Sequence, residues 1–293
     1  MIVAVSDGTP RVLTIAKEAA GLPSVDVREE DRTFELALRR GIRRQAGLDV
    51  GYVEQLYTFG DLGRIPGVAE RVVSVGYLAL VREEQPSHGA AWTSCYSLFP
   101  WEDQRSGAVA VVGDRIAPAL DRWVRQAKGK DRTDRRLRAD ASFGLRGAPW
   151  DGVRVLERYE LLYEAGLLAE DADSSSDVED GGLGSVRMAQ DHRRIVASAL
   201  GRLRGKLTYR PTVFELLPER FTLSQLQVLV EALAGVDLHK QNFRRLVEQG
   251  GLVEGTGETT PTAGRPAELF TFRREVLAER PRPGVGTPWS SHG

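Results

Sequence analysis

The side chains at positions 41, 44 and 45 decide what chemistry the N-terminal half of this chain can do. They lie in the run RTFELALRRGIRRQAGL (32–48). On a helix, an i, i+3, i+4 spacing puts them on one face. Three carboxylates so placed would hold a divalent cation through hard oxygen ligands. The residues are instead Gly41, Arg44 and Gln45: no side chain, a guanidinium and an amide. Such a face repels Mg2+. A second chemical cluster sits far downstream in HKQNFRR (239–245). Lys240, Gln241, Asn242, Arg244 and Arg245 are the residue types whose donors and acceptors match guanine and adenine edges. Arrangement carries this expectation more than charge does, since residues 201–280 hold 12 Lys and Arg against 10 Asp and Glu.

These clusters need elements to hold them. Alternating apolar runs at 2–5 and 11–15 read as short strands around the turn Asp7-Gly8-Thr9-Pro10, with further strands near 52–58 and 71–82. The run at 33–45 is amphipathic and reads as a helix. Helical patterns are also expected at 107–121, 153–170 and 188–206, the clearest being VLERYELLYEAGLLAE. KGKDRTDRRLRAD between the first two of these is read as a solvated charged surface, with a basic phosphate contact as the functional alternative. DADSSSDVEDGGLG (171–184) is acidic and rich in serine and glycine, and is expected to be disordered or a mobile loop. His192 has no companion His or Cys at ligand spacing. It is read as a structural histidine that, with Asp191, links its helix to the preceding fold.

From residue 221 the pattern changes. Thr222 and Gln225 form a capping box for a helix that stops at Gly235. Asp237 is expected to cap the next helix, with Leu238, Phe243, Leu246 and Val247 on its buried face. Strands at 252–254 and 268–272 flank a loop ending in Gly264-Arg265-Pro266. Helix, tight turn, helix, β-hairpin is the layout of a winged helix-turn-helix. Arg265, taken to lie at the base of the wing, suits a phosphate or minor-groove contact.

The 293 residues suffice for about two domains. With 41% hydrophobic and 28% charged residues, the chain suits a packed core and a soluble surface. A net charge of −1 confines any nucleic-acid contact to a local patch. The single cysteine, Cys95, excludes an internal disulfide framework and any zinc site using two thiolates, and its apolar setting reads as core. No run approaches the ~18 apolar residues of a membrane span, and the first residues lack a basic signal region, so the expectation is a cytoplasmic protein with no membrane partner.

The 32–48 run resembles a Nudix box, G-x5-E-x7-R-E-U-x-E-E-x-G-U, where U is bulky and aliphatic. It keeps Arg40, Ile42, Gly47 and Leu48 but has Asp26 and Arg32 at the opening glycine and first glutamate. QLYTFGD and RVVSVGYLAL resemble the strand–loop–strand after that box. KLTYRP, FELLP, FTLSQLQ, NFRR and GRPAELFTF resemble the C-terminal half of the Nudix-related transcriptional regulators of NAD metabolism, the NrtR type. GYVEQLYTFGD and LERYELLYEAGL look closer to the alphaproteobacterial branch, NadQ.

The resemblance implies an α+β fold: a degenerate Nudix-like α/β/α sandwich domain (1–205, with an insertion at about 100–185), then a winged helix-turn-helix domain (206–293). It implies a homodimer that binds double-stranded operator DNA, represses NAD-biosynthesis genes and senses an adenine nucleotide: ATP, NAD or ADP-ribose. No cofactor is required. Tyr57, Phe59, Asp61, Arg64 and Arg71 are the expected ligand residues, an aromatic for adenine and arginines for phosphate. Arg40 and Arg44 could pair with a polyphosphate directly, and Tyr57 and Phe59 could equally be core. The same resemblance carries DNA contact to Lys240, Gln241, Asn242, Arg244, Arg245 and Arg265. Without the metal-binding glutamates no catalysis is expected, because hydrolysis in this family needs metal to polarise phosphate and activate water. The alternatives are an atypical nucleotide pyrophosphohydrolase using Glu29, Glu30 or Glu35, and an adaptor that binds no DNA.

Overall fold

The computed structural model describes residues 1–15, 20–65, 67–105, 110–168, 183, 188–262 and 264–285. A five-stranded sheet forms its centre, from β1 (Ile2–Ser6), β2 (Thr9–Ile15), β3 (Tyr52–Phe59), β4 (Ser74–Leu80) and β5 (Ala90–Ser94). The strand order is β3-β4-β1-β2-β5, with β1 and β4 parallel and the other neighbours antiparallel. Period-two alternation divides the apolar side chains between two faces. Ile2, Ala4, Leu13 and Ala79 meet Ile42 and Ala46 of α1 (Phe34–Ala46) on one side. Val3, Val12, Leu78 and Leu80 join the larger core on the other. The result is the expected α/β/α layering. Thr33 caps α1 by accepting from the Leu36 amide, and Gly47 closes it.

The large core is built from α6 (His192–Leu207), α7 (Leu223–Ala234) and α5 (Val155–Glu164). The short α2 (Cys95–Leu98) and a 3-10 turn at Pro100–Glu102 lead into it. Cys95 is buried there, as its context implied. A π-turn at Val112–Ile116 runs into α3 (Ala117–Gln126), and α4 (Gly129–Phe143) follows. KGKDRTDRRLRAD forms most of this helix and is largely exposed as expected, while Ala139, Ser142 and Phe143 give its C-terminal end a buried anchor. Expectations for 107–109, for 169–170 and for 171–184 apart from Leu183 fall outside the described residues. The boundary expected between 205 and 206 falls inside α6, and the core runs past it without interruption.

Two sets of charged contacts fix the layers. At the N-terminus of α6, Arg64 makes a paired contact with both Asp191 oxygens (2.9 and 2.7 Å), and His192 Nδ1 accepts from the Leu22 amide (3.0 Å). This is the linking role read for that pair. Deeper lies Glu102, fully buried. Its carboxylate accepts from Arg158 Nε (2.5 Å) and Nη2 (2.8 Å) and from Arg204 Nη1 (2.5 Å). Arg204 also donates to the carbonyls of Leu233 (3.0 Å) and Glu102 (2.9 Å), and Arg158 to those of Asp151 and Ser142. Gly235, which ends α7 at φ +72°, sits against this cluster. A Cβ there would lie 2.3 Å from the Glu102 carbonyl oxygen, so only glycine fits.

Burial pushes the Glu102 carboxyl up, but the guanidiniums of Arg158 and Arg204 outweigh it and hold it below the usual carboxylate range. A depressed carboxylate stabilises the fold above its ordinary value of about 4.3, and that contribution is lost as pH falls through the lower native value. Removing one partner of a buried charge cluster strands the others, at about 3–5 kcal/mol. Glu102→Gln should therefore lower urea-derived stability at pH 7 by about that amount and flatten the fall in stability below pH ~4. A loss under ~1 kcal/mol would mean that carbonyls alone satisfy the two arginines.

Candidate functional site

The C-terminal cluster is carried by α7, α8 (Lys240–Gln249) and a hairpin of β6 (Val253–Thr260) and β7 (Ala267–Phe272). α7 has the full capping box between Thr222 and Gln225. α8 starts at Lys240, two residues later than the sequence suggested, and its N-cap position is His239, not Asp237. The reason lies in α7. Glu231 Oε1 accepts from the Leu238 amide (2.9 Å) and from Gln227 Nε2 (2.8 Å), and Gln227 Nε2 also donates to the Leu238 carbonyl (2.9 Å). Residue 238 is thereby held in the turn. The buried face of α8 is narrower than expected, with only Phe243 and Val247 buried. Leu246 is 50% exposed and Leu238 is half-buried outside the helix.

That geometry leaves Lys240, Gln241, Asn242, Arg244 and Arg245 exposed on one short helix. Among the described residues none of the five has a side-chain hydrogen bond or ion pair. A helix of ten residues is about 15 Å long, enough to lie in a major groove about 12 Å wide. Behind it, the hairpin is fastened to the start of α7 by reciprocal backbone bonds between Phe221 and Phe270 (3.0 and 2.8 Å). Phe214 stacks on Phe272 with centroids 4.3 Å apart. Arg265 is exposed in the turn joining β6 to β7, at the tip of the wing rather than its base, and only its carbonyl is engaged, by Thr262 Oγ1 (2.8 Å). The tip is the part of a hairpin that reaches furthest from its domain.

The residues expected to meet a ligand in the N-terminal half are dispersed. Phe59 is 2% exposed and packs in the core, edge-on to Tyr57 at 5.2 Å; Tyr57 is 60% exposed. The sheet needs Phe59 as filling, so only Tyr57 offers a face. Arg64 is committed to Asp191 and to Ser74 Oγ (2.8 Å), which makes it a structural clamp rather than an open phosphate ligand. Asp61 pairs with Arg194 (2.6 Å), whose guanidinium holds the carboxyl below its ordinary range. Arg71 is exposed and donates to the Gly60 carbonyl (3.1 Å). Arg40 binds Asp31 (2.6 Å), and its Nε and Nη1 are shielded from solvent with no hydrogen-bond partner among the described residues. Arg44 is exposed one turn further along α1.

Two of the three positions at 41, 44 and 45 are engaged by neighbouring residues. Val25 packs against Gly41, where an added Cβ would sit 2.8 Å from the valine Cβ. Gln45 Nε2 donates to the Ser24 carbonyl (2.5 Å). Among the described residues no three His, Cys, Asp or Glu side chains are grouped to hold a metal ion, and no helix is long and apolar enough to cross a membrane. Sequence reasoning missed Arg158, Glu102 and Arg204. Their partners are 56 and 102 residues away, beyond the reach of any local pattern.

Residues 213–272 match the NrtR DNA-binding winged helix domain. Over 85 residues the chain is 36% identical to the ADPR responsive transcriptional repressor NtrR of Acinetobacter baylyi, a stretch that is 29% of this chain and about a third (34%) of that protein. NrtR of Shewanella oneidensis complexed with a 27mer DNA superposes with a TM-score of 0.58 at 20% identity, covering 94% of this chain and 93% of the other. A MutT/nudix family protein from Enterococcus faecalis superposes with a TM-score of 0.54 at 17% identity, covering 93% and 83% respectively. The likeness extends the shared fold over nearly the whole chain.

The Gly41–Val25 contact is open to a direct check. Helix propensity alone favours Gly→Ala by about 1 kcal/mol, whereas overpacking costs about 1–3 kcal/mol. Gly41→Ala should lower the thermal midpoint, and adding Val25→Ala should restore it. A stabilised single variant would show that Val25 yields freely.

Proposed function

We propose that this chain, whose C-terminal module is an NrtR-type winged helix, is a transcriptional repressor that binds operator DNA as a homodimer and responds to an adenine nucleotide. The observation that carries the reading is the unpaired polar face of α8, Lys240, Gln241, Asn242, Arg244 and Arg245, backed by two buried anchors. Asn and Arg read adenine and guanine edges in pairs of hydrogen bonds, while Lys240 and the wing-tip Arg265 meet phosphates. The central sheet and its helices form the sensing module and the winged helix the reading module, with α6 spanning the boundary expected near 205. The regulated genes in this reading are those of NAD biosynthesis, and the protein is cytoplasmic. The likeness to the alphaproteobacterial branch rests on the GYVEQLYTFGD and LERYELLYEAGL runs alone.

The name of the Acinetobacter relative favours ADP-ribose as effector over ATP or NAD. Tyr57 and Arg71 are open for the base and phosphates, while Arg40 is held by Asp31 with its Nε and Nη1 shielded from solvent. Arg44 adds charge on the same helix. In this role the 41–44–45 face binds without hydrolysing, since no carboxylate stands there to bring a metal to the pyrophosphate. Of the carboxylates an atypical hydrolase could recruit, Glu35 is paired with Arg39 (2.8 Å) and Glu30 with Arg28 (3.5 Å). Effector binding acts by changing the spacing of two winged helices, which must fit half-sites about one helical turn apart. A coupling of about 1–3 kcal/mol changes operator affinity about 5–150-fold.

The test is fluorescence anisotropy on the promoter of the host's NAD-biosynthesis operon against a scrambled duplex at fixed salt, with ADP-ribose, ATP and NAD titrated separately. Selective binding that one nucleotide shifts is expected. Binding to neither duplex would overturn the reading. Asn242→Ala should cost about 1–3 kcal/mol at one base pair and relax selectivity there, and equal losses on specific and scrambled DNA would remove Asn242 from base recognition.

A further inference from the structure

We propose that the α3–α4 hairpin is a second DNA contact, gripping phosphates that flank the stretch read by α8 and the wing. This rests on the DNA-binding reading above. Residues 121–138 carry eight Lys and Arg against three Asp in a chain of net charge −1, a far stronger basic bias than in 201–280.

The eight cations divide by use. Arg135 lies over the Trp123 ring (4.3 Å) and donates to its carbonyl, Arg136 pairs with Asp121, and Arg138 pairs with Glu164 (2.6 Å). These three hold the hairpin together. Arg122, Arg125, Lys128, Lys130 and Arg132 are exposed, and among the described residues they make no side-chain hydrogen bond, ion pair or ring contact. On α3 the buried positions are Ala119, Leu120, Trp123 and Val124, which turns Arg122 and Arg125 outward. Lys128, Lys130 and Arg132 surround the first turn of α4, where the helix macrodipole disfavours cations. Lys128 holds the N-cap position without a capping bond, and Asp131 is the first turn's single acid. A placement that works against the helix is expected where function overrides local stability. Lysines around free backbone N–H groups make a surface for anions such as phosphate.

Attachment says which polyanion. The C-terminal end of α4 is tied to the buried clamp, since Arg158 donates through Nη1 to the Ser142 carbonyl (3.1 Å) and through Nη2 to Glu102 (2.8 Å). Arg204 joins the same carboxylate to the Leu233 carbonyl, and α8 begins shortly after Gly235. Hairpin and reading helix are thus fixed to one joint. The 15 residues of α4 span about 22 Å, less than the ~34 Å turn of a duplex. In this proposal the cationic end, about the length of α4 from the joint, lies against phosphates beside the half-site, where lysine and arginine serve as backbone contacts.

The test uses full-length protein with Lys128→Gln, Lys130→Gln and Arg132→Gln combined, since glutamine keeps helix propensity. Binding is measured against salt on the operator defined by footprinting and on the same operator extended by arbitrary sequence at both ends. Each phosphate contact adds about 0.9 to the log–log salt slope. The unmodified protein should bind the extended duplex more tightly and with a slope steeper by about 2–3, and the triple variant should erase that difference. An arginine version of the triple variant should keep it. Equal affinity and slope for the triple variant and the unmodified protein on the extended duplex would overturn the proposal. So would unchanged duplex binding together with lost binding to phosphatidylserine vesicles, which would assign the patch to a membrane surface. Arg244→Ala separates the two readings: if it too leaves DNA binding intact, the DNA reading itself fails, whereas its loss beside an unaffected triple variant removes only the hairpin contact.

Discussion

Glu102 is a buried carboxylate between two buried guanidiniums, and the relation between the two halves of the molecule depends on it. Taking three charges out of water is costly, and it is tolerated here because the geometry satisfies nearly every donor. Glu102 sits at the end of a 3-10 turn, Arg158 on α5 and Arg204 on α6, while the last turn of α7 supplies the carbonyl of Leu233. Tyr96 Oη donates to the Ala232 carbonyl (2.6 Å), and the Gln104 amide donates to that of Gly235 (2.7 Å). The turn leading to α8 is therefore gripped by Tyr96 and Gln104, which follow the central sheet. Buried charge is weak support for stability but strong support for one geometry, because any displacement strands an ion in low dielectric.

That rigidity suits the proposed role. A reading helix with only two buried anchors has little hydrophobic area of its own to hold its angle. Its orientation is set by α7, which also packs on the central sheet through the large core. At the N-terminus of α6, Arg64 pairs with Asp191 and Arg194 with Asp61, which fastens that helix to the loop after β3. The α1 face completes the contrast. Gly41 admits Val25, and Gln45 closes on the Ser24 carbonyl, so neighbouring residues fill this stretch of the helix.

Comparing expectation with structure separates two kinds of information. Four strands of the central sheet, α1 and the capping box of α7 were legible because each is written in neighbouring residues: period two, period 3.6, Thr222 with Gln225, Gly235 at a helix end. The exposure of Lys240, Gln241, Asn242, Arg244 and Arg245 followed from the same periodicity. The start of α8 was misplaced because Gln227 and Glu231, one helix earlier, hold the turn. Arg64 looked like a ligand because its partner Asp191 lies 127 residues away. Phe59 looked like a stacking platform because strand alternation puts it on one face with the exposed Tyr57 and cannot say where along the strand that face is covered.

The sequence by itself determined the elements, their order and the chemical vocabulary of the two surfaces, since local sterics and hydrophobic period act within a few residues of each other. Only the tertiary structure decided which charged side chains are free to act. Arginines at 64, 158, 193 and 204 are buried, while those at 44, 122, 125, 132, 244, 245 and 265 face water. A guanidinium is the same group in each setting, and what it can bind depends on whether the fold has already brought a carboxylate or carbonyl to it.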